Sequence, residues 1–310
     1  MFSDVLLTVD FDRTLTGPDS VIPERNLQAI RWFMENGGVF TMNTGRSTNT
    51  FRNYLNVIPV NAPFLLYNGS AAYEKGELID LKPIDLDLWT TIHQVQKLFP
   101  ELNLEIQGVK NHYLVDATPE FERFYDGVDW LHEPATPDKD MGPFLKFSLF
   151  GKTTEATMAH MFTGTEEELA MMDRAEETLR MMYGDKVEVF RAAPRIIDVH
   201  AKGVSKLRAA RDLQEKLGRK ILVCVGDAEN DLTMLEGADY AFCPSDGVVA
   251  DRFPNVCPCG EGAVADVIYK KILEILGLQK SPSLTEPVIS ASALMTRVPT
   301  WMAEKARSPI

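Results

Sequence analysis

Positive charge is scarce in this 310-residue sequence: 32 Lys and Arg stand against 45 Asp and Glu, a formal net charge of -13. That deficit argues against a nucleic-acid groove or a polybasic membrane patch, because both need clustered Lys and Arg to meet phosphates. The same negative field repels phosphorylated substrates. A phosphate site must therefore be made locally positive by a few placed Lys or Arg residues or by a bound cation. Cysteine is sparse, with Cys224, Cys243, Cys257 and Cys259 only. The Cys-Pro-Cys pair lacks the further Cys or His ligands of a zinc knuckle, so reduced thiols in a cytoplasmic protein are expected. The five histidines, His93, His112, His132, His160 and His200, show no metal-ligand spacing and read as surface or packing residues. No apolar run approaches membrane-spanning length, no signal-peptide pattern precedes the first strand, and there is no internal repeat.

What is present is an ordinary globular composition, 45% hydrophobic and 25% charged, long enough for a large domain plus an insertion. Val5 to Val9 is an apolar run that reads as a strand buried on both faces, and it ends in Asp10-Phe11-Asp12. Pro23 opens a helix through Leu27, Ile30 and Phe33. A strand over Val39 to Met42 ends in Asn43-Thr44-Gly45-Arg46, and a second helix is expected from Ser47 to Leu55. Phe64 to Tyr67 is a third strand closed by Asn68-Gly69, followed by a hairpin turning at Lys75-Gly76. From Pro83 the rhythm changes to short alternating strands and helices up to the strand at Arg195 to His200, an α+β unit inserted into something else. Within it Met158, Met161, Met171, Met172, Met181 and Met182 read as core. The parallel pattern resumes with a helix from Ser205 and the apolar run Ile221 to Val225, which again ends in acids, Asp227 and Asp231. The expected organisation is a doubly wound parallel-sheet core over 1–84 and 197–278, an α+β insertion over 85–196, and a tail over 279–310 in which Leu294, Val298 and Trp301 fit a short helix.

A doubly wound sheet gathers the carboxyl ends of its strands at one crevice, so Asp10, Asp12, Thr44 and Asp227 are expected to meet there. The set Asp10-x-Asp12-x-Thr14, Thr44-Gly45-Arg46, Lys206 and Gly226-Asp227-x-x-Asn230-Asp231, in this order, resembles the four motifs of the haloacid dehalogenase superfamily. The insertion between the second and third motifs resembles the C2-type cap of its Cof-like sugar-phosphatase branch. In the Cof-like pattern the lysine follows Gly-x-Ser at the start of a helix, so the resemblance implies Lys206, after Gly203-Val204-Ser205, in preference to Lys202.

The resemblance implies a Rossmann-like core and a phosphoric monoester hydrolase acting on a small phosphorylated metabolite, with sugar phosphates the commonest substrates of the family. Asp10 would be the nucleophile and Asp12 the general acid and base. Mg²⁺ would be held by Asp10, the Asp12 carbonyl and Asp227, with Asp231 and Asn230 beside it. Thr44, Gly45, Arg46, Asn68, Lys206 and Asn230 are the candidates for phosphate and substrate contacts. A phosphosugar mutase and a non-catalytic phosphate-sensing relative use the same scaffold. One position departs from the pattern: Arg13 stands where the family usually has glycine, which would ease a tight backbone path. No partner beyond the substrate is implied, and the oligomeric state is not readable.

Overall fold

The computed structural model describes residues 1–152 and 157–278, so the expected tail and the short helix around Leu294, Val298 and Trp301 lie outside the described residues. The backbone forms two compact units, Met1–Ile268 and Tyr269–Ile310, and all the sheets belong to the first. Val5–Val9 is buried along its whole length and lies between Ile221–Val225 and Val39–Met42, parallel to both. Tyr240–Pro244 and Asn255–Val256 complete a five-stranded, wholly parallel sheet. Strands covered on both faces have no solvent side, which is why the two apolar runs show no alternation. Leu6, Leu222 and Cys224 cluster with Ala209, Ala210 and Leu213 of the helix Lys206–Lys216.

The helix expected from Ser47 to Leu55 is confined to Thr48–Phe51. Thr48, Asn49 and Thr50 favour local hydrogen bonds over helix propagation, and Ser47 and Thr50 close a reciprocal cap there. A single parallel bridge from Asn43 to Leu65 carries the sheet edge to Phe64–Leu66. That strand begins an antiparallel sheet with Ala71–Glu74 and Glu77–Ile79. Their hairpin turns at Lys75 and Gly76, both left-handed with φ of 52° and 95°.

The second large sheet has six strands in the order Val187–Ala193, Ile196–Ala201, Phe144–Phe150, Asn103–Gly108, His112–Val115 and His132–Pro134. The boundary expected at residue 196 falls inside it: Asp198 and His200 pair with Ser148 and Lys146, and the chain leaves the sheet only after Ala201. One face is apolar. Ile106, Phe147, Leu149 and Val199 cluster with Ile92 and Val95 of the helix Leu88–Leu98 and with Met172, Ala175 and Leu179 of the helix Glu166–Tyr183. Met161 and Met172 are buried as expected, but Met181 and Met182 are 77% and 41% exposed. They fall off the stripe through Met172, Ala175, Leu179 and Tyr183 that faces the sheet.

The other face is polar where it meets the first sheet. Glu105, Gln107, His112, Lys146, Ser148, Asp198 and His200 are all buried. Opposed residues on antiparallel strands share a face, so they form two rows, Glu105–Ser148–Asp198 and His112–Gln107–Lys146–His200. His112 and His200 are therefore not the surface or plain packing residues expected from the sequence. His112 places Nε2 2.6 Å from Ser47 Oγ and Nδ1 2.6 Å from Glu105 Oε1. His200 Nε2 accepts from Asn68 Nδ2 at 3.1 Å, and its Nδ1 lies 2.9 Å from Ser70 Oγ. Lys146 Nζ donates to Asp198 Oδ2 at 3.0 Å and to the Gly45 carbonyl at 3.4 Å. The insertion is thereby docked onto the loops that follow Val39–Met42 and Phe64–Leu66.

Burial would raise the Glu105 pKa, but the charges of His112 and Lys146 and hydrogen bonds from His112 and Gln107 hold it down at about 2. Burial, reinforced by Lys146, drives His200 well below the ordinary imidazole value, so it stays neutral. The unfolded chain protonates His200 below about pH 6.5 and the folded chain does not. Unfolding free energy is therefore expected to fall by about 1.4 kcal/mol per pH unit below that value on account of this one group. Denaturant titrations between about pH 7 and 5 measure this; His200→Asn should flatten the slope, and an unchanged slope would assign the proton elsewhere.

Candidate active site

The site forms where the parallel strands end. The Asp10 N–H donates to the Val225 carbonyl at 2.9 Å, continuing the sheet by one residue, after which the chain curls through Phe11–Leu15. Arg13 sits in that curl at φ 57° and ψ 14°, the left-handed region where glycine is at ease and a side chain costs about 1 kcal/mol. The curl turns Thr14 inward, and its hydroxyl donates to Asp227 Oδ1 at 2.8 Å.

Lys206 is the first residue of its helix, placed there by the Ser205 cap, whose Oγ accepts from the Arg208 N–H at 3.1 Å. Its Nζ donates to Asp10 Oδ1 at 2.6 Å and to Asp231 Oδ1 at 2.7 Å. Lys202, by contrast, donates to the Gly184 carbonyl and pairs with Glu188 on the exposed side. Asp231 folds back so that its Oδ2 accepts from the N–H groups of Asp227 and Ala228 at 3.1 and 3.2 Å. A Cβ on Gly226 would stand 2.6 Å from the Asp231 carboxyl carbon, so the turn needs glycine there.

Lys206, Asp10, Asp227 and Asp231 are all buried, so water screens them little. Burial raises the Asp10 pKa well above the usual carboxylate range; Lys206 opposes this, while Asp231, Asp227 and Asp12 add to it. Burial and Asp231 push Asp227 up to about 7 against the Thr14 hydrogen bond and Lys206. For Lys206 burial favours the neutral form, but the two bonded carboxylates outweigh it and keep the ammonium charged.

The loop after Val39–Met42 brings the second group. Thr44 is buried, its hydroxyl oxygen accepts from the Arg46 N–H at 3.2 Å, and its carbonyl accepts from the Asn68 N–H at 2.9 Å. A Cβ on Gly45 would lie 2.9 Å from Asn68 Oδ1, so glycine lets the two loops touch. Arg46 grips Asp12 in a two-pronged pair, Nε to Oδ2 at 2.8 Å and Nη2 to Oδ1 at 2.6 Å. The Arg46 guanidinium also donates to the Thr50 carbonyl and lies 4.9 Å from the Phe11 ring centre.

A family model described as haloacid dehalogenase-like hydrolase matches residues 7–248. The chain belongs to that family. Among the relatives of this haloacid dehalogenase-like hydrolase is an uncharacterized hydrolase of Schizosaccharomyces pombe, C215.10, 24% identical over 276 residues and covering 86% of this chain and 90% of the relative. Another is the 5-amino-6-(5-phospho-D-ribitylamino)uracil phosphatase YwtE of Bacillus subtilis, 22% identical over 258 residues, with 78% and 88% covered. The structure of the subclass IIB sugar phosphatase BT4131 superposes with a TM-score of 0.65 at 18% identity, covering 88% of this chain and 98% of that one. The fold class expected from the sequence holds, and so does the reading as a hydrolase of phosphoric monoesters, since named phosphatases are among its relatives.

Of the residues singled out from the sequence, Asp10, Asp227, Asp231 and Lys206 converge on one buried cluster, and Thr44, Gly45, Arg46 and Asn68 form the neighbouring loops. The Asp12 side chain is turned to Arg46. Asn230 is half-buried in the turn Glu229–Asp231 and makes no hydrogen bond among the described residues. Sequence reasoning gave no separate role to Thr14, nor to Asn43, whose Nδ2 fastens the Lys206 carbonyl at 2.8 Å. It also passed over the polar rows of the insertion.

Asp10, Asp227 and Asp231 each offer an oxygen within 4.8 Å of the others. With one ammonium against three buried carboxylates, the cluster is short of positive charge, and its all-oxygen donors suit a hard divalent cation. Lys206→Met should therefore cost about 3 kcal/mol or more of stability, because it strands two buried carboxylates. Millimolar Mg²⁺ should recover more of the melting temperature in that variant than it adds to the parent. Equal Mg²⁺ shifts in both proteins would show that lysine and cation do not share the same charge deficit.

Proposed function

We propose that this hydrolase is a Mg²⁺-dependent cytoplasmic phosphatase that cleaves a small phosphorylated metabolite, a sugar phosphate, through an aspartyl-phosphate on Asp10. The observation that carries the reading is the Lys206 ammonium bonded at once to Asp10 and Asp231 beside Asp227, at the carboxyl edge of a parallel sheet. An Asp10 carboxylate oxygen attacks phosphorus in line, the bond to the leaving oxygen breaks, and Asp12 gives that oxygen its proton. Water then attacks the aspartyl-phosphate, Asp12 takes a proton from it, and Asp10 and inorganic phosphate are regenerated. The Thr44 hydroxyl, the N–H groups around Gly45 and the Lys206 ammonium meet the phosphoryl oxygens as charge develops. Asp10, the Asp12 carbonyl, Asp227 and Asp231 would hold the cation, which when bound offsets the repulsion between carboxylate and phosphate. The insertion, which ends with the strand Ile196–Ala201, acts as a cap that covers the crevice and reads the leaving group.

The substrate class draws on the likeness to BT4131, a sugar phosphatase, and to YwtE, whose substrate carries a phosphoribityl group. Among the described residues no helix is long and apolar enough to cross a membrane. Purified protein should release phosphate from an aryl phosphate with Mg²⁺ and lose that activity in EDTA. Asp10→Asn should lower kcat by on the order of 10⁴-fold or more. Metal-independent release, or a fully active Asp10→Asn protein, would overturn the reading, and a screen of phosphorylated metabolites would then identify the substrate.

A further inference from the structure

The row His112–Gln107–Lys146–His200 runs straight across four strands of the insertion and faces the loops of the first sheet. Three of its members are fastened there: His112 to Ser47, Lys146 to the Gly45 carbonyl, and His200 to Asn68 and Ser70. Gln107 stands between His112 and Lys146 and touches neither loop through a hydrogen bond among the described residues. Its Nε2 is used on Glu105 at 3.0 Å. Its Oε1 is buried without a partner among the described residues, and so is Asn68 Oδ1, which lies beside Gly45. Lys146, the cross-strand neighbour of Gln107, carries three protons and commits two, so one donor is left over.

Buried polar atoms in native proteins are almost always paired, because leaving them bare forfeits the hydrogen bonds they made to water. Two acceptors and one donor left over on neighbouring buried residues fit a group that both gives and takes a hydrogen bond. A hydroxyl does that. Lys146 and Asn68 both reach Gly45, next to Thr44, where the phosphoryl group sits on the proposed reading.

We propose that Gln107 and Lys146 are specificity-determining residues that hold a hydroxyl of the leaving alcohol, Gln107 Oε1 accepting its proton and Lys146 Nζ donating to its oxygen. This rests on the phosphatase reading. Sites built to bond a hydroxyl reject the analogue without one far more strongly than apolar pockets reject an extra group, because the analogue leaves their polar atoms bare. The enzyme then favours phosphate esters of polyols over esters of plain alkyl chains of the same length.

The test compares kcat/KM for ribitol 5-phosphate and n-pentyl phosphate, which share five carbons and differ in hydroxyls. The parent protein should prefer the ribitol ester by about tenfold or more. Gln107→Met, close in shape, should cut that preference about tenfold, mostly through KM for the ribitol ester, with n-pentyl phosphate changed less than about twofold. Lys146→Gln, which can still bond Asp198, should act in the same direction. The n-pentyl rate serves as the internal control for folding. An unchanged ratio in both variants, a parallel fall of both substrates, or no preference in the parent protein overturns the assignment. If p-nitrophenyl phosphate is hydrolysed in those cases, the phosphatase reading survives without it; if no ester is hydrolysed, both fall.

Discussion

The structure depends on one ammonium group. Lys206 Nζ reaches Asp10 and Asp231 at once, in a place with almost no water, and so ties together three separate pieces of chain: the end of the first strand, the turn after Ile221–Val225 and the start of a helix. Removing charges from water costs several kcal/mol per ion, which is recovered only when each is paired and hydrogen-bonded. Asp231 meets that condition fully, with Lys206 on one oxygen and two N–H groups on the other. Asp227 does not: it has the Thr14 hydroxyl, and burial together with the neighbouring Asp231 pushes its pKa up to about 7. The parallel sheet supplies the stability that keeps such a cluster assembled, since strands buried on both faces contribute apolar area without relying on the site.

The six-stranded sheet solves a related problem differently. It gains its own stability from the apolar face under two helices, which leaves the opposite face free to carry charge and amide groups. Those groups are buried instead of being solvated, with His112, Lys146 and His200 bonded to the loops of the core, and two neutralising arrangements make that tolerable: Glu105 with His112, and Asp198 with Lys146 and Ser148. The contact between the two sheets is thus held by directional bonds to Gly45, Ser47, Asn68 and Ser70. Directional contacts fix the insertion in register with the loops after Val39–Met42 and Phe64–Leu66, and a greasy contact of equal area would allow sliding.

Much of this was legible in the sequence where one physical cause acts alone. Val5 to Val9 and Ile221 to Val225 announce doubly covered strands by lacking alternation, and acids at the ends of both must then share an edge. Ser205 before Lys206 is a capping signal that starts the helix at that lysine, while the preference for it over Lys202 rests on the Gly-x-Ser pattern of the family. The insertion's polar rows were written in the sequence too, as Glu105 and Gln107, Lys146 and Ser148, and Asp198 and His200, each pair two apart with an apolar residue between. Alternation of that kind ordinarily means a face in water. Only docking against another part of the chain turns it into a buried face, and docking leaves no local trace. The same holds for the boundary drawn at 196, which cut a strand paired both with Val187–Ala193 just before it and with Phe144–Phe150 about fifty residues earlier, and for Met181 and Met182, whose exposure follows from which helix stripe meets the sheet.

The Arg46–Asp12 pair shows how far the geometry constrains the chemistry. Arg46 is held from several sides, by the Thr50 carbonyl, by the Phe11 ring and by both oxygens of Asp12. Asp12 is held mainly by Arg46, and its side chain is 49% exposed against 25% for the arginine. Of the two, the carboxylate is the freer to move. On the proposed reading Asp12 must reach the leaving oxygen, so it has to give up at least one prong of the pair when substrate enters. An incoming phosphate helps, because it competes for the same guanidinium with more charge and the same flat two-oxygen geometry. On that reading Arg46 would pass from holding the acid to holding the phosphate, and Asp12 would be released toward the leaving group only when there is a phosphate to act on.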